Sequence, residues 1–143
     1  MSALTDLTGK ELGPTEWFEV TQERIDRFAE ATDDPQWIHT DPVRAAAGPF
    51  GTTIAHGYLT LSLLPALLGE VLETGACLAV NYGLNRVRFP APVPVGSRVR
   101  ARFEVLAADE LADGVQLTVV ATVEREGGER PVCVAEAVHR LLA

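Results

Sequence analysis

The sequence predicts a single α+β domain, residues 1–143, in which a curled antiparallel sheet wraps one buried helix. Residues 56–73 are apolar almost all round, which is typical of a buried helix. Beyond Gly75, four alternating segments rich in β-branched residues are joined by short turns, which favours antiparallel strands (residues 77–89, 97–106, 115–124 and 131–142). The chain has 143 residues, 47% of them hydrophobic, enough for one domain with a core.

The first third of the chain predicts one strand, one helix and a long connection. Residues 17–20 form a short strand, which makes about five strands in all, and Thr21 is the expected N-cap of a helix over residues 22–31. Residues 32–55 have little periodicity, except for a possible helical turn capped by Asp41. A connection this long inside one domain is usually functional or disordered, and its aromatic content indicates that it is packed.

The charge distribution excludes some partners and leaves one question open. A net charge of −8 argues against binding to nucleic acid or to an anionic membrane. Five of the 12 basic residues nevertheless fall between positions 86 and 102: Arg86, Arg88, Arg98, Arg100 and Arg102. This basic segment fits either a small anionic ligand or a solvated strand face.

The cysteines and the N-terminus predict a cytoplasmic protein. Cys77 and Cys133 lie in apolar segments and form no C-x-x-C pair, so both are expected to be buried free thiols. The first residues match no signal peptide, and Pro65 and Gly69 interrupt the longest apolar run, so no membrane association is expected.

Three residues predict acyl-group chemistry at a carbonyl. Asp34 and His39 are five positions apart in a segment rich in turn formers, and Gly57 opens the apolar helix. A carboxylate and an imidazole can share proton transfer. The free N–H groups at the start of a helix can stabilise a developing negative charge.

The same region resembles the hydratase-2 motif of the MaoC-like dehydratases, most closely the subgroup related to nodulation protein N. The matching segments are residues 34–41 (DPQWIHTD), 48–57 (GPFGTTIAHG) and 81–90 (NYGLNRVRFP). The resemblance covers the chain from about Gly9 to its C-terminus. It implies the hot-dog fold and a homodimer whose sheets join edge to edge.

The resemblance also implies an activity in fatty acid metabolism, the reversible hydration of trans-2-enoyl thioesters to (R)-3-hydroxyacyl thioesters. Asp34 is the expected general base for water, and His39 would orient that water and help deliver a proton to C2. Which of the two protonates C2 stays open. The Gly57 N–H is the expected donor to the thioester oxygen.

The implied partner is an acyl-CoA or an acyl-carrier-protein thioester, with no metal and no cofactor apart from the coenzyme A of the substrate. Arg86 and Arg88 are candidates for its anionic nucleotide end. Asn85 either points into the site or is a buried strand amide with its own partners. Tyr58 is a candidate liner of the acyl tunnel, with ordinary core packing as the alternative.

Several neighbouring residues are expected to be structural. His56 should cap the central helix or pack at its start, and His139 should belong to the final strand. Pro65 should kink the helix, and it stands near a position where some family members carry a hydroxyl, so no third catalytic side chain is assigned.

Three other functions compete with the hydratase. A dehydratase acting on a specialised or carrier-bound 3-hydroxyacyl thioester would use the same residues. A non-catalytic module that binds acyl thioesters is disfavoured because both Asp34 and His39 are present. A thioesterase needs a carboxylate facing the substrate, whereas the helix offers only Glu70 and Glu73 near its far end.

Overall fold

The computed structural model describes residues 2–75 and 78–143, so the expectation for Cys77 lies outside the described residues. The helices are α1 Ser2–Thr5, α2 Gln22–Thr32, α3 Trp37–Thr40, α4 Pro42–Ala46, α5 Gly57–Ser62 and α6 Leu64–Val71. The strands are β1 Glu11–Leu12, β2 Phe18–Glu19, β3 Leu78–Arg88, β4 Arg98–Leu111, β5 Gly114–Arg125 and β6 Cys133–Leu142. Within this part of the chain, no helix is long and apolar enough to cross a membrane.

The strands form one antiparallel sheet in the order β1-β4-β5-β6-β3, with β2 also paired to β4. The predicted α+β class and curled sheet are confirmed, and the sheet has six strands instead of about five. The additional strand is β1, in which Glu11 and Leu12 pair with Glu104 and Phe103. Two residues are too few to show alternation, so only the long-range pairing identifies this strand.

The central strands alternate between a buried and a charged face, as their sequence predicts. In β4 the residues Val99, Ala101, Phe103 and Val105 are buried, whereas Arg98, Arg100 and Arg102 lie on the opposite face. The buried face packs against leucines of α5 and α6 in the main hydrophobic core. Full burial of each such side chain contributes about 1.5–3 kcal/mol to folding.

The central helix is divided into α5 and α6, which corrects the prediction of one kinked helix over residues 56–73. The Leu63 N–H bonds back to Thr60 O at 3.2 Å, and this tighter turn closes α5. Pro65 then lies in the first turn of α6, where a missing N–H costs no helical hydrogen bond. The proline therefore breaks the helix instead of bending it.

Two predicted helix caps are confirmed, and they fix the ends of the elements around the site. The Thr21 hydroxyl accepts a hydrogen bond from the Arg24 N–H at 3.2 Å, and Asp41 Oδ1 accepts one from the Arg44 N–H at 3.1 Å. Each cap satisfies an N–H that the helix itself leaves free.

Candidate functional site

The site begins where α2 ends. Asp33 closes this helix in the left-handed conformation, with φ of 55°, and the Asp34 N–H then bonds to Ala29 O at 3.0 Å. The side chain of Asp34 is 52% exposed. A carboxylate is thus held by its backbone at the helix terminus while its oxygens stay open to solvent.

His39 lies on α3, and its ring is buried beside Asp34. Its Nδ1 lies 2.7 Å from Ile54 O, and because a carbonyl only accepts, Nδ1 carries the proton and donates it. Burial lowers the pKa of His39, the nearby His56 adds to this lowering, and the Ile54 carbonyl and Asp34 partly offset it. His39 is therefore a neutral imidazole with an unprotonated Nε2 near pH 7.

His56 packs on His39 and ties it to the Asp34 backbone. The two rings are stacked, with centroids 3.8 Å apart and planes inclined by 21°. His56 Nε2 donates to Asp34 O at 3.0 Å and lies 3.9 Å from Asp34 Oδ2. The expectation that His56 packs at the helix start is confirmed, although the sequence alone did not reveal the stack.

Gln22 is a second supporting residue that the sequence analysis missed. Its Nε2 donates to His39 O at 2.7 Å and to Asp26 Oδ1 at 2.9 Å, and its Oε1 accepts from the Thr53 hydroxyl at 2.6 Å. The side chain therefore connects α2, α3 and the segment that leads into α5. A polar residue in the first turn of a helix gives no local sign of such distant contacts.

Gly57 opens α5 on one wall of a cavity of about 300 Å³, which we call the Phe89 cavity. The cavity is also lined by Ile54, whose carbonyl accepts the hydrogen bond from His39. A Cβ on Gly57 would lie 3.0 Å from the Phe89 ring, so a side chain here would crowd the cavity wall. As the first residue of the helix, Gly57 has an N–H without an intrahelical acceptor.

The structure brings Asp34 and His39 together and connects them to Gly57, whereas the predicted ligand-binding residues lie further out. Tyr58 is 70% exposed at the start of α5 and meets the Phe89 ring edge-on at 6.3 Å. Asn85 is exposed on β3, where its amide donates to Glu136 Oε2 at 2.6 Å. The alternative of a buried strand amide is therefore right about the partner and wrong about the burial.

Arg86 and Arg88 are exposed near the end of β3, just before Phe89. The Arg88 guanidinium donates to the carbonyl of Val87 at 2.7 Å. Both side chains are exposed, neither lines the Phe89 cavity, and their binding role stays a prediction.

The other arginines of the basic segment are paired along the outer face of the sheet. Arg98 binds Glu126, Arg100 binds Glu124 at 2.5 Å, and Arg102 approaches Glu124 at 3.5 Å. For these three residues the solvated strand face is therefore the right interpretation.

Donor atoms of Asp34, His39 and His56 lie within 4.8 Å of one another, close enough to raise the question of a metal ion. A ligating imidazole directs its lone pair in the plane of its ring. Because the two rings are stacked face to face, one ion cannot lie in both planes. The arrangement suits proton transfer better than chelation, and the absence of a metal cofactor stays a prediction.

Comparisons with known proteins show the family of this chain. The MaoC-like domain family matches residues 4–127. The 3-hydroxyacyl-thioester dehydratase Z of Mycobacterium tuberculosis is 56% identical over 142 residues, which are 98% of this chain and 94% of that protein. Nodulation protein N of Rhizobium leguminosarum bv. viciae is 49% identical over 134 residues, 89% of this chain and 81% of its own length.

A solved structure extends the agreement to the fold. The (R)-hydratase from A. caviae involved in PHA biosynthesis matches with a TM-score of 0.78 and 29% identity, covering 94% of this chain and 96% of its own. The chain belongs to the family of MaoC-like dehydratases. The predicted family, the hot-dog fold and the enzyme class, a hydro-lyase, are thereby confirmed.

Proposed function

We propose that this protein catalyses the reversible hydration of a trans-2-enoyl thioester to the (R)-3-hydroxyacyl thioester, with Asp34 and His39 as the catalytic pair. One observation carries the proposal. A solvent-open carboxylate lies beside a buried neutral imidazole, and this imidazole donates a hydrogen bond to the carbonyl of Ile54, which lines the Phe89 cavity together with Gly57.

In the hydration direction, the Asp34 carboxylate removes a proton from water as the water oxygen attacks C3. His39 Nε2, which has no proton of its own, accepts a hydrogen bond from the same water and fixes its position. The C3–O bond forms, the C2=C3 electrons move toward the thioester, and C2 then takes up a proton from the pair. Dehydration is the same sequence in reverse.

The Gly57 N–H is the proposed donor to the thioester oxygen. Negative charge develops on this oxygen when C3 is attacked, and a fixed N–H stabilises that charge more than it stabilises the ground state. The small residue at this position keeps the cavity wall open beside Phe89. Asp34, His39 and Gly57 together therefore provide the base, the water-orienting group and the oxyanion donor.

A second candidate is the dehydratase direction with a specialised or carrier-bound acyl thioester. The relative from M. tuberculosis, 56% identical, is named a 3-hydroxyacyl-thioester dehydratase. The two candidates use the same residues. They differ in direction, because the cell would consume the 3-hydroxyacyl thioester in one case and the enoyl thioester in the other. The exposed Arg86 and Arg88, which precede Phe89 in the sequence, support a coenzyme A thioester, in which the coenzyme is part of the substrate and no other cofactor is required.

The active form is proposed to be a homodimer joined through β3. This strand of 11 residues ends the order of the sheet, and it exposes large apolar side chains, with Tyr82 58% exposed. An open strand edge with apolar side chains favours pairing with another strand. The opposite edge of the sheet is less open, because β1 and β2 pair with β4 there.

The proposed dimer is tested by measuring the oligomeric state of the protein in solution. Val80→Lys on β3 should shift the protein toward monomer in sedimentation velocity, because a lysine at the edge opposes pairing. Val43→Lys is the matched control, since Val43 is 86% exposed on α4, away from the sheet. A wild-type monomer at micromolar concentration would contradict the proposal.

The protein is also proposed to work in the cytoplasm. The buried Cys133 is a free thiol, and a free thiol is compatible with a reducing compartment. Fractionation of cells that express the chain with a C-terminal tag should recover it with cytoplasmic markers, and recovery with an extracytoplasmic fraction would overturn this assignment.

The activity is tested by following the loss of conjugated enoyl-thioester absorbance with crotonyl-CoA and trans-2-octenoyl-CoA, with chiral analysis of the product. The wild type should form the (R)-alcohol, and Asp34→Asn should lower kcat at least about hundredfold. Asp33→Asn is the matched control, because it makes the same charge change one residue earlier and asparagine tolerates the left-handed conformation. Formation of the (S)-alcohol, or full activity of Asp34→Asn, would overturn the assignment.

A further inference from the structure

The residue that precedes α5, His56, is almost completely buried beside the proposed catalytic pair, yet the proposed reaction gives it no step. It is 3% exposed. Its ring contacts the rings of His39 and Phe28, at centroid distances of 3.8 and 4.9 Å. A polar side chain that is buried next to the reacting groups can hold them in place, and its hydrogen bonds decide whether it does so.

The hydrogen bonds of the two stacked histidines fix them in opposite tautomers. His56 Nε2 lies 3.0 Å from the backbone oxygen of Asp34, which only accepts, so Nε2 carries the proton and donates it. His39 instead carries its proton on Nδ1, which donates to the Ile54 carbonyl at 2.7 Å. Each ring is therefore tied to a backbone carbonyl through a different nitrogen.

The second ring nitrogen of His56, Nδ1, is buried and has no hydrogen-bond partner among the residues that the structure describes. The side chain before a helix usually accepts a hydrogen bond from an N–H of the first turn, but His56 makes no such bond to α5. A buried polar atom without a partner costs free energy. Capping of the helix therefore does not explain the orientation of this ring.

The contacts that the ring does make hold both members of the pair. The Asp34 N–H bonds to Ala29 O at 3.0 Å, so with His56 both backbone polar groups of Asp34 are hydrogen-bonded, although its side chain is 52% exposed. For His39, a single hydrogen bond to Ile54 fixes a direction but not the plane of the ring. The stacked His56, inclined by only 21°, fixes that plane.

We infer that His56 is a positioning residue for the proposed reaction: its Nε2–H holds the backbone of Asp34, and the face of its ring holds the plane of His39. This inference rests on the proposed hydratase activity and adds a supporting residue to it. Because His56 acts through the pair, its loss lowers kcat with little change in KM. The two contacts use different parts of the ring, so different substitutions remove them separately.

Two variants separate the donor from the ring. His56→Phe retains an aromatic ring against His39 and loses the N–H, whereas His56→Gln retains an amide N–H near the place of Nε2 and loses the ring. Each should lower kcat for the hydration of crotonyl-CoA about five- to tenfold, with KM unchanged. Full wild-type kcat in both folded variants would overturn the inference.

Thr15→Val is the matched control for a loss of stability alone. The Thr15 hydroxyl accepts a hydrogen bond from the Ala101 N–H at 3.0 Å, and this bond is buried on β4, which contains none of the site residues. The variant should lower Tm and leave kcat as in the wild type. If instead kcat follows Tm in all three variants, His56 has only a structural role.

Double variants show through which residue each part of the ring acts. His56→Phe should lower kcat little further in an Asp34→Asn background, because the carboxylate that the N–H helps to place is gone. His56→Gln should lower kcat little further in a His39→Gln background, for the corresponding reason. In the opposite backgrounds each variant should keep its full loss, and equal losses in every background would overturn the inference.

Heteronuclear NMR of the histidine rings tests the same geometry in the wild type, without any variant. His56 should show the Nε2–H tautomer and His39 the Nδ1–H tautomer. An Nδ1–H tautomer of His56 would overturn the inference even if no variant folded. Failure of the wild type to turn over any enoyl thioester would instead count against the proposed function, and the tautomers would still decide how the two rings are held.

Discussion

Two buried histidines, His39 and His139, have surroundings that differ sharply. His39 and His139 are both 7% exposed, and burial lowers the pKa of both. His39 donates to the Ile54 carbonyl, stacks on His56 and lies beside Asp34. His139 has none of these contacts and faces a largely apolar cavity.

The difference shows that burial by itself does not define a catalytic histidine. Loss of solvent makes both imidazoles neutral, but only His39 has a partner that fixes which nitrogen is free and a carboxylate that shares the proton. A buried ring without such partners is not held in one orientation for proton transfer.

Replacing His39 by glutamine should lower kcat about hundredfold, because glutamine retains polarity but has no basic nitrogen to hold the water. The assay is the hydration of a medium-chain enoyl-CoA. At the other buried histidine, His139→Gln should lower kcat with the same substrate far less. Equal losses in the two variants would remove the distinction between them.

Replacing Gln22 by alanine should lower kcat about tenfold with a smaller change in KM, because the hydrogen bond to the His39 carbonyl positions the ring without touching substrate. Gln36→Ala is the control, because Gln36 precedes α3 and its side chain makes no capping hydrogen bond. In a His39→Gln background the loss from Gln22→Ala should be much smaller. A full additional tenfold loss there would show that Gln22 does not act through His39.

Arg88→Ala should raise KM for a coenzyme A thioester about threefold, with little change for the matching pantetheine thioester that lacks the nucleotide. The effect is small because an exposed charge contributes little to binding. Arg98→Ala provides the comparison, since Arg98 is already bound to Glu126 on the outer face. If both thioesters respond equally to Arg88→Ala, this arginine does not bind the nucleotide.

The stability of the protein should fall as the pH drops below about 6.5, the usual pKa of histidine, because the unfolded chain then binds protons that His39 and His139 resist in the folded state. Both contributions are complete above that pH and are lost as the pH falls toward the lowered folded-state pKa values. Urea unfolding between pH 5 and 8 measures the slope. His139→Leu should flatten it relative to the wild type, and identical slopes would contradict the lowered pKa of His139.

Much of the fold was predictable because local chemistry specifies it. The Thr21 and Asp41 caps need only a hydroxyl or carboxylate three residues before a free N–H, and the alternation along β4 follows from the two-residue period of a strand. Asp34, His39 and Gly57 were found because the segments that resemble the family, residues 34–41 and 48–57, follow each other closely in the sequence. These features depend on contacts within a few residues.

Other features depend on contacts between distant residues. The register of β4 against β5 brings Arg98 to Glu126 and Arg100 to Glu124. This register therefore decides which arginines of the basic segment are paired with a carboxylate. Gln22 contacts Thr53 across 31 positions, which no local pattern encodes.

The sequence by itself determined the family, the α+β class, the caps and the residues of the proposed catalytic pair. Only the tertiary structure decided that His56 stacks on His39, that the central helix breaks before Pro65, and that His139 lies buried on the wall of a largely apolar cavity. The physical reason is that hydrogen bonding and burial of a side chain depend on which distant elements surround it. Residue type and spacing specify the chemistry that a side chain can perform, and packing decides which chemistry it performs.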